Sequence, residues 1–435
     1  MKKTINKRTW LMIWLIAFAG QICWAIENNT FATYATTITG SALVVTLMVD
    51  FSALFTMIAV FIAGTLGDRL GRRRKIISIG LILWGLTTIL FGFADFIPKN
   101  NLTLLGFYLV FMDSVMSFFG AVGYSGGYMP WTTDISDESN RGTIATIIAV
   151  VTIVANIVVQ GLQGAIIENY GFLPIFVVVG ISIMIFGVLA YILLRDPEDL
   201  APNRSGDSFW AQVMQAFNFK ETFSNKTLLW VLLVICVYTC GFNIYMSYST
   251  SYLYYYFPEF SGLELSKTNA SLIMGIGMLV AAGLSFLAMK PINRGKAPQV
   301  TLISVIVSVI ANILLAFSKN IPMLFIFIML SALGYIINLE ATTAWFKNLA
   351  PEGKTGNIEG VRQIFYNLIP MCVGSLLGLI VIKAVKVVRE FDGVSIEVPT
   401  NAIFLVAGIF TAFTLIPLYF AVKSVKDGKT GSEKT

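Results

Sequence analysis

Three acids sit inside stretches otherwise built from Leu, Ile, Val, Phe and Ala: Glu27, Asp50 and Asp113. Holding an ionised side chain in hydrocarbon costs about 2.5–3.5 kcal/mol on insertion scales, so such a group normally faces a cavity or a partner. Desolvation favours the protonated form of a carboxylate, which makes a buried acid a candidate proton carrier. The 435 residues contain no histidine, so proton traffic would fall to carboxylates. Glu27 has Asn28 and Asn29 beside it, and Trp24 and Phe31 three and four residues away. Carboxylate, amides and aromatic rings together suit a polyol, held by hydrogen bonds and ring stacking. The competing reading of Glu27 and Asp113 is an interhelical hydrogen bond, and Asp50, near a segment end, suits a solvated position.

Further polar residues interrupt apolar segments downstream. Asn156, Gln160 and Gln163 fit either a cavity wall or helix–helix hydrogen bonding. The later part of the chain adds Asn243, Tyr245 and Tyr248, then Asn338 and Glu340, then Arg362, Gln363 and Asn367. Glu340 and Arg362 both approach segment ends, where they suit a gate ion pair or a substrate contact. Cys23, Cys236, Cys240 and Cys372 all lie within apolar segments and read as small buried hydrophobes. No metal cluster, cofactor motif or nucleophile–base pair emerges, so an enzyme is not expected. Gly353-Lys354-Thr355 imitates the end of a phosphate loop, but Asn348 stands where that motif needs glycine.

The elements that must position these residues can be read from composition. The chain is 56% hydrophobic and 12% charged, with a mean hydropathy of +0.78. Soluble domains carry about 25% charged residues. Twelve apolar segments stand out, at roughly 10–36, 42–66, 76–96, 102–128, 142–167, 172–194, 228–256, 268–289, 300–317, 321–346, 360–385 and 401–422. A helix crosses a bilayer in about 20 residues. The runs are continuous instead of alternating, which favours helices over a barrel. The longest polar connection, 195–227, divides the chain into halves at 1–194 and 228–422, leaving a tail at 423–435.

Charge supplies an orientation. With both termini inside, only Lys99, Lys267, Lys319, Lys383, Lys386 and Arg389 of the 30 cations fall outside. That bias fits the positive-inside rule and a multi-pass protein of the cell membrane. The net charge of +6 therefore reports topology and not nucleic-acid binding. The basic N-terminus precedes an apolar run too long for a signal peptide and reads as a first helix.

The two halves echo one another. Trp131-Thr-Thr-Asp-Ile-Ser-Asp-Glu-Ser-Asn-Arg-Gly142 comes after the fourth segment, and Trp345-Phe-Lys-Asn-Leu-Ala-Pro-Glu-Gly-Lys-Thr-Gly356 after the tenth. In both, a Trp precedes a Gly by eleven residues, with a Glu seven after the Trp. Between the second and third segments runs Gly67-Asp-Arg-Leu-Gly-Arg-Arg-Arg-Lys75, with a weaker counterpart at Asn293-Arg-Gly-Lys296. The pattern Gly-Asp-Arg-x-Gly-Arg-Arg resembles the signature loop of the major facilitator superfamily. Lys354-Thr-Gly-Asn-Ile-Glu-Gly360 is similar to a pattern of its glycoside–pentoside–hexuronide cation symporters, and Pro130-Trp131 matches that group loosely. Trp24-Ala-Ile-Glu-Asn28 and Pro351-Glu-Gly-Lys354 resemble segments of bacterial sugar-transporter-like proteins. The symporters' aspartate pair in span 2 and aspartate before Pro-Trp have no match here, so their ligands do not carry over.

The resemblance implies an all-α membrane protein of twelve transmembrane helices in two pseudo-symmetric six-helix halves. It implies a secondary transporter of a small-molecule substrate, a sugar or glycoside, driven by a proton or sodium and acting as a monomer. The alternatives are a proton-driven exporter of amphipathic compounds or a non-transporting sensor. The expected cavity residues are Trp24, Glu27, Asn28, Asp113, Asn156, Gln160, Asn243, Tyr248, Asn338, Gln363 and Asn367. A cytoplasmic gate would comprise Asp68, Arg69, Arg72, Arg141, Glu340 and Arg362, with Asp68 latching near the start of the eleventh span.

Overall fold

The computed structural model describes residues 5–98, 101–136, 140–196, 202, 208–215, 225–349, 361–391 and 393–432. Twelve helices in it are long and apolar enough to cross a membrane. Spans 1 to 6 are Lys7–Thr39, Ala42–Leu70, Arg74–Phe96, Leu102–Asp134, Arg141–Tyr170 and Leu173–Leu193. Spans 7 to 12 are Lys226–Tyr255, Lys267–Asn293, Ala297–Ala316, Ile321–Leu349, Val361–Val385 and Ala402–Val425. A short surface helix, Phe209–Gln215, lies between the two sets.

The chain separates into two compact units, Met1–Val213 with Glu390–Ile396, and Met214–Arg389 with Glu397–Thr435. Their internal packing corresponds pair by pair. In the first unit span 3 packs on spans 6 and 4, span 2 on span 4, and span 1 on spans 5 and 6. In the second, span 9 packs on spans 12 and 10, span 8 on span 10, and span 7 on spans 11 and 12.

The local signals that start and stop these helices also recur at matched positions. Asn6 accepts from the Thr9 amide at the start of span 1, and Asn225 accepts from Leu228 at the start of span 7. Asn101 and Asn320 do the same for spans 4 and 10. An N-cap side chain satisfies one of the amides that a helix start leaves unpaired. Span 2 ends at Gly71 (φ +58°), and Gly295 (φ +77°) lies just beyond span 8. Glycine reaches this left-handed conformation without steric cost.

Spans that are apolar all round cannot associate by shedding water, so close packing must hold them. A Cβ added to Gly80 would stand 2.4 Å from the Gly123 amide nitrogen, so spans 3 and 4 meet backbone to backbone. One added to Gly378 would stand 2.4 Å from the Ile244 carbonyl oxygen, which brings spans 7 and 11 equally close. The outward faces are exposed apolar side chains, with Tyr170, Tyr191, Trp210 and Tyr419 among the exposed aromatics. Such residues favour membrane–water interfaces.

Three spans contain widened π turns: Glu27–Phe31 in span 1, Ala121–Tyr128 in span 4 and Ile364–Leu368 in span 11. Two have a visible cause, since Pro130 and Pro370 each lie two residues beyond the widened stretch. A proline ring clashes with the carbonyl four residues earlier, and widening relieves that clash. The fourth helix therefore continues through Pro130 to Asp134, beyond the end expected at 128. Span 7 is broken at Ser247–Tyr248, between Lys226–Met246 and Ser249–Tyr255. One departure from an all-helical chain is a hairpin of β1 (Val388–Phe391) and β2 (Val394–Glu397). Gly393 turns it with φ +75°, and the Asp392-Gly393 pair before the alternating Val394-Ser-Ile-Glu397 was its legible signal.

Candidate functional site

Two of the first unit's intramembrane acids, Glu27 and Asp113, lie close together. Glu27 lies where span 1 widens, and Asp113, Ser117 and Gly120 share one face of span 4 by their i, i+4, i+7 spacing. Ser117 Oγ donates to Glu27 Oε1 at 2.9 Å, and Ser52 of span 2 reaches the same oxygen at 3.2 Å. The two hydroxyls are 2.8 Å apart, closing a triangle of oxygens. Glu27 Oε2 and Asp113 Oδ1 are shielded without a hydrogen-bond partner, as is the indole Nε1 of Trp84. The Trp84 edge packs against Gly120, where a Cβ would stand 2.6 Å from the ring. Trp24, one turn before Glu27, meets Trp84 with ring centroids 5.3 Å apart. Unpartnered acceptors, an unpartnered donor and two indole rings thus share one small region of spans 1, 3 and 4.

This constellation differs in membership from the one the sequence suggested. Asn28 is exposed, and its neighbour Asn29 is the buried amide. Asn29 Oδ1 accepts from Gln160 Nε2 at 2.7 Å, Gln160 Oε1 accepts from Gln163 Nε2, and Gln163 Oε1 accepts from Thr30. The Asn29 amide donates in turn to the Ala25 carbonyl at 2.7 Å. This closed network fastens span 5 to the widened turn of span 1. Asn156 bonds only within its own helix, to the Thr152 carbonyl. Ser52, Ser117 and Trp84 were missed because a serine or tryptophan in an apolar span is unremarkable until a neighbouring carboxylate is placed beside it.

In the second unit the expected polar residues are distributed between packing contacts. Asn243 donates to the Thr239 carbonyl of its own helix and touches span 11 at Gly374. Tyr248 donates to the Ser375 carbonyl at 3.2 Å, with its ring over Gly378. Asn338 donates to Ser304 at 3.0 Å. Tyr245, Ser331 and Asn312 form a chain of hydrogen bonds across spans 7, 10 and 9. Gln363 and Asn367 flank or occupy the widened turn of span 11 and are half-buried.

Of the expected gate residues, Asp68, Arg69, Glu340 and Arg362 meet other side chains, and Asp68 does so through Arg73, which the expected gate did not include. Arg73 is buried, with its guanidinium held by Asp134 and, at 2.6 Å, by Asp68. Burial works against its charge, but the hydrogen bonds and charges of Asp134 and Asp68 raise its pKa above the ordinary arginine value. Asp196 accepts from the Arg73 and Arg74 amides at 2.8 and 2.9 Å, capping span 3. Asp68 itself is 56% exposed. Arg69 bonds Gln212 at 2.8 Å and lies over the Phe209 ring, tying span 2 to the surface helix, while Arg72 is exposed. The Glu340 carboxylate meets Ser285 at 3.2 Å, in place of an Arg362 ion pair. Arg362 stacks on Phe346 and Tyr366. The 351–360 segment, with the Lys354 motif and all but the last two residues of the expected Asp68 neighbourhood at 356–362, lies outside the described residues, as does the Arg141 side chain.

Known proteins share this architecture. A nucleoside transporter, NupG, superposes with a TM-score of 0.72 over 95% of this chain and 99% of its own, at 13% identity. A bacterial homologue of the human lysosomal transporter Spinster, inward-facing and unoccupied, gives 0.70 over 97% and 98%, at 14% identity. A D-xylose–proton symporter gives 0.69 over 93% and 97%, at 14% identity. No curated protein matches the chain by sequence. The sequence model of the Major Facilitator Superfamily matches residues 10–294 and 249–435, covering nearly the whole chain. With twelve spans in two matched sets and that coverage, the chain belongs to the Major Facilitator Superfamily.

Proposed function

We propose that the protein is a secondary active transporter of a small polyhydroxyl solute, a sugar or glycoside, that works by alternating access and is coupled to a cation. The observation that carries this reading is the Glu27–Ser52–Ser117 triangle with Asp113 nearby. Among the described residues neither carboxylate has a Lys or Arg partner, and a buried charge without one is costly. Neutrality must come from a bound proton or cation. A proton count favours the first. Three oxygen–oxygen contacts share only two hydroxyl protons when Glu27 is ionised. A third proton on Glu27 lets all three be hydrogen bonds. Uptake of that proton and its release on the other side would make Glu27 the coupling group, with Asp113 as second acceptor.

The solute class rests on the groups left unpaired in the same region. A polyol offers hydroxyls that donate to Glu27 Oε2 and Asp113 Oδ1 and accept from Trp84 Nε1, with apolar ring faces for Trp24 and Trp84. The cation bias supports a cell-membrane protein with both termini on the cytoplasmic side, and uptake is the direction that suits a symporter. Both a xylose–proton symporter and a nucleoside transporter among the structural neighbours support a sugar-bearing solute.

Proteoliposome uptake across sugars, glycosides and nucleosides, under imposed proton or sodium gradients, tests the reading. Accumulation of one class driven by a proton gradient is expected. Accumulation driven only by sodium moves the coupling to that ion, and no gradient-dependent accumulation of any of them overturns symport.

A further inference from the structure

The helices that carry the acid cluster have a second feature on their other faces. Between spans 2 and 4 runs a cleft of about 470 Å³, lined chiefly by Leu47, Phe51, Gly106, Phe107, Val110 and Phe111. It belongs wholly to the first unit, and its rim is open: Phe107 is 68% and Phe111 49% exposed. Their rings lie parallel, 6.1 Å apart, as one wall. Gly106 forms part of the floor, where a Cβ would press on Val44 at 3.0 Å.

Position and polarity identify what fits. The cleft begins at Leu43 and Leu102, in the first turns of spans 2 and 4, at the membrane end opposite the 67–75 loop. It extends to Phe55 and Val115. Twelve to thirteen helical residues rise about 18–20 Å, which covers one leaflet of a hydrocarbon core of about 30 Å and passes its midplane. The cleft is therefore long enough for one acyl chain of that leaflet. Thr103 and Ser114 supply the only polar lining, and the Ser114 hydroxyl is already donated to the Val110 carbonyl at 2.6 Å. A polar solute would leave its own groups unpaired there. A hydrocarbon chain needs no partner, and filling the cleft restores the dispersion contacts that a void forfeits.

We propose that this cleft seats one acyl chain of a phospholipid from the leaflet opposite the 67–75 loop. Bound there, the chain acts as a spacer between spans 2 and 4. Those helices meet at the 2.8 Å contact of Ser52 and Ser117 on the acid cluster, so the lipid helps set the geometry around Glu27. The assignment does not depend on which solute is moved.

The test places the full chain in phosphatidylcholine–phosphatidylglycerol vesicles containing a trace of phosphatidylcholine with a photoreactive diazirine in its acyl chain. Adducts are mapped after irradiation. The expected result is a several-fold excess at residues 43–55 and 102–115 over the comparably exposed face of span 6 at Val178, Ile181 and Ile185. Val110→Trp, and separately the milder Val110→Phe, should remove the excess while the unlabelled thermal transition persists. Equal labelling of the two faces overturns the proposal, as does an excess that survives both substitutions. So does displacement of the label by a transported sugar, or a cleft shielded by a second copy of the chain.

Discussion

The Ser117 hydroxyl donates to Glu27 at 2.9 Å and so joins the middle of span 4 to the widened turn of span 1. Span 2 enters through Ser52, which touches both. Three helices are thereby linked through one carboxylate whose second oxygen is shielded without a hydrogen-bond partner.

Removing either hydroxyl should disturb coupling before it disturbs folding. Ser117→Ala and Ser52→Ala each remove two of the three contacts of the triangle, at about 0.5–1.5 kcal/mol for each neutral hydrogen bond. Concentrative uptake should fall several-fold in each variant. Because both act on one oxygen, the double variant should lose less than the sum of the two. Strict additivity in proteoliposome uptake would show that the serines do not share Glu27.

Glu27→Gln and Asp113→Asn remove the titrating groups while keeping their shape. Gradient-driven accumulation should disappear in both, whereas exchange of labelled for unlabelled solute across the membrane should persist. Wild-type accumulation in both variants would take these acids out of the mechanism.

The Arg73 cluster separates stability from transport. Arg73 side-chain exposure is 6%, that of Asp134 18%, and that of Asp68 56%. Breaking a buried ion pair costs about 3–5 kcal/mol, whereas exposed pairs contribute about 0–1 kcal/mol. Asp134→Asn should therefore lower the thermal transition markedly in detergent. Asp68→Asn should leave it nearly unchanged, slow transport, and preserve equilibrium binding of the solute.

Close helix contact predicts a contrast between glycines. Gly80→Val must displace the Gly123 backbone, while Gly161 has open space around its Cβ position. Gly80→Val should depress folded yield and thermal stability, and Gly161→Val should leave both near wild type. Equal behaviour of the two would contradict backbone contact between spans 3 and 4.

Outside the spans, Arg389 donates to both oxygens of Glu259, at 2.7 and 2.8 Å. These hydrogen bonds hold the Glu259 carboxyl below its ordinary pKa. Such a pair contributes fully above the unfolded-state value of about 4.3 and is lost as pH falls through the lowered folded-state value. Both partners are exposed, so the effect is small and salt-sensitive. Glu259→Gln should flatten the acid limb of a stability-versus-pH curve at low salt and change nothing at neutral pH in high salt.

Much of the architecture was legible because it is written locally. Hydrophobic length marks the twelve spans, and the basic 67–75 loop with its echo at 293–296 marks matched turns that end in left-handed glycines. The intramembrane acids were legible by the same logic, since a carboxylate in an apolar run stands out against its neighbours. Membership of the site was not. In a span that is apolar all round, no polar face shows which way a side chain points. A widened turn adds a residue and rotates the downstream side chains by about 100°, and span 1 widens at Glu27, where Asn29, not Asn28, is the buried amide. The sequence by itself determined that acids would lie within the membrane. Only the tertiary structure decided that Ser52, Ser117 and Trp84 surround them, because those neighbours come from other helices and are chosen by packing.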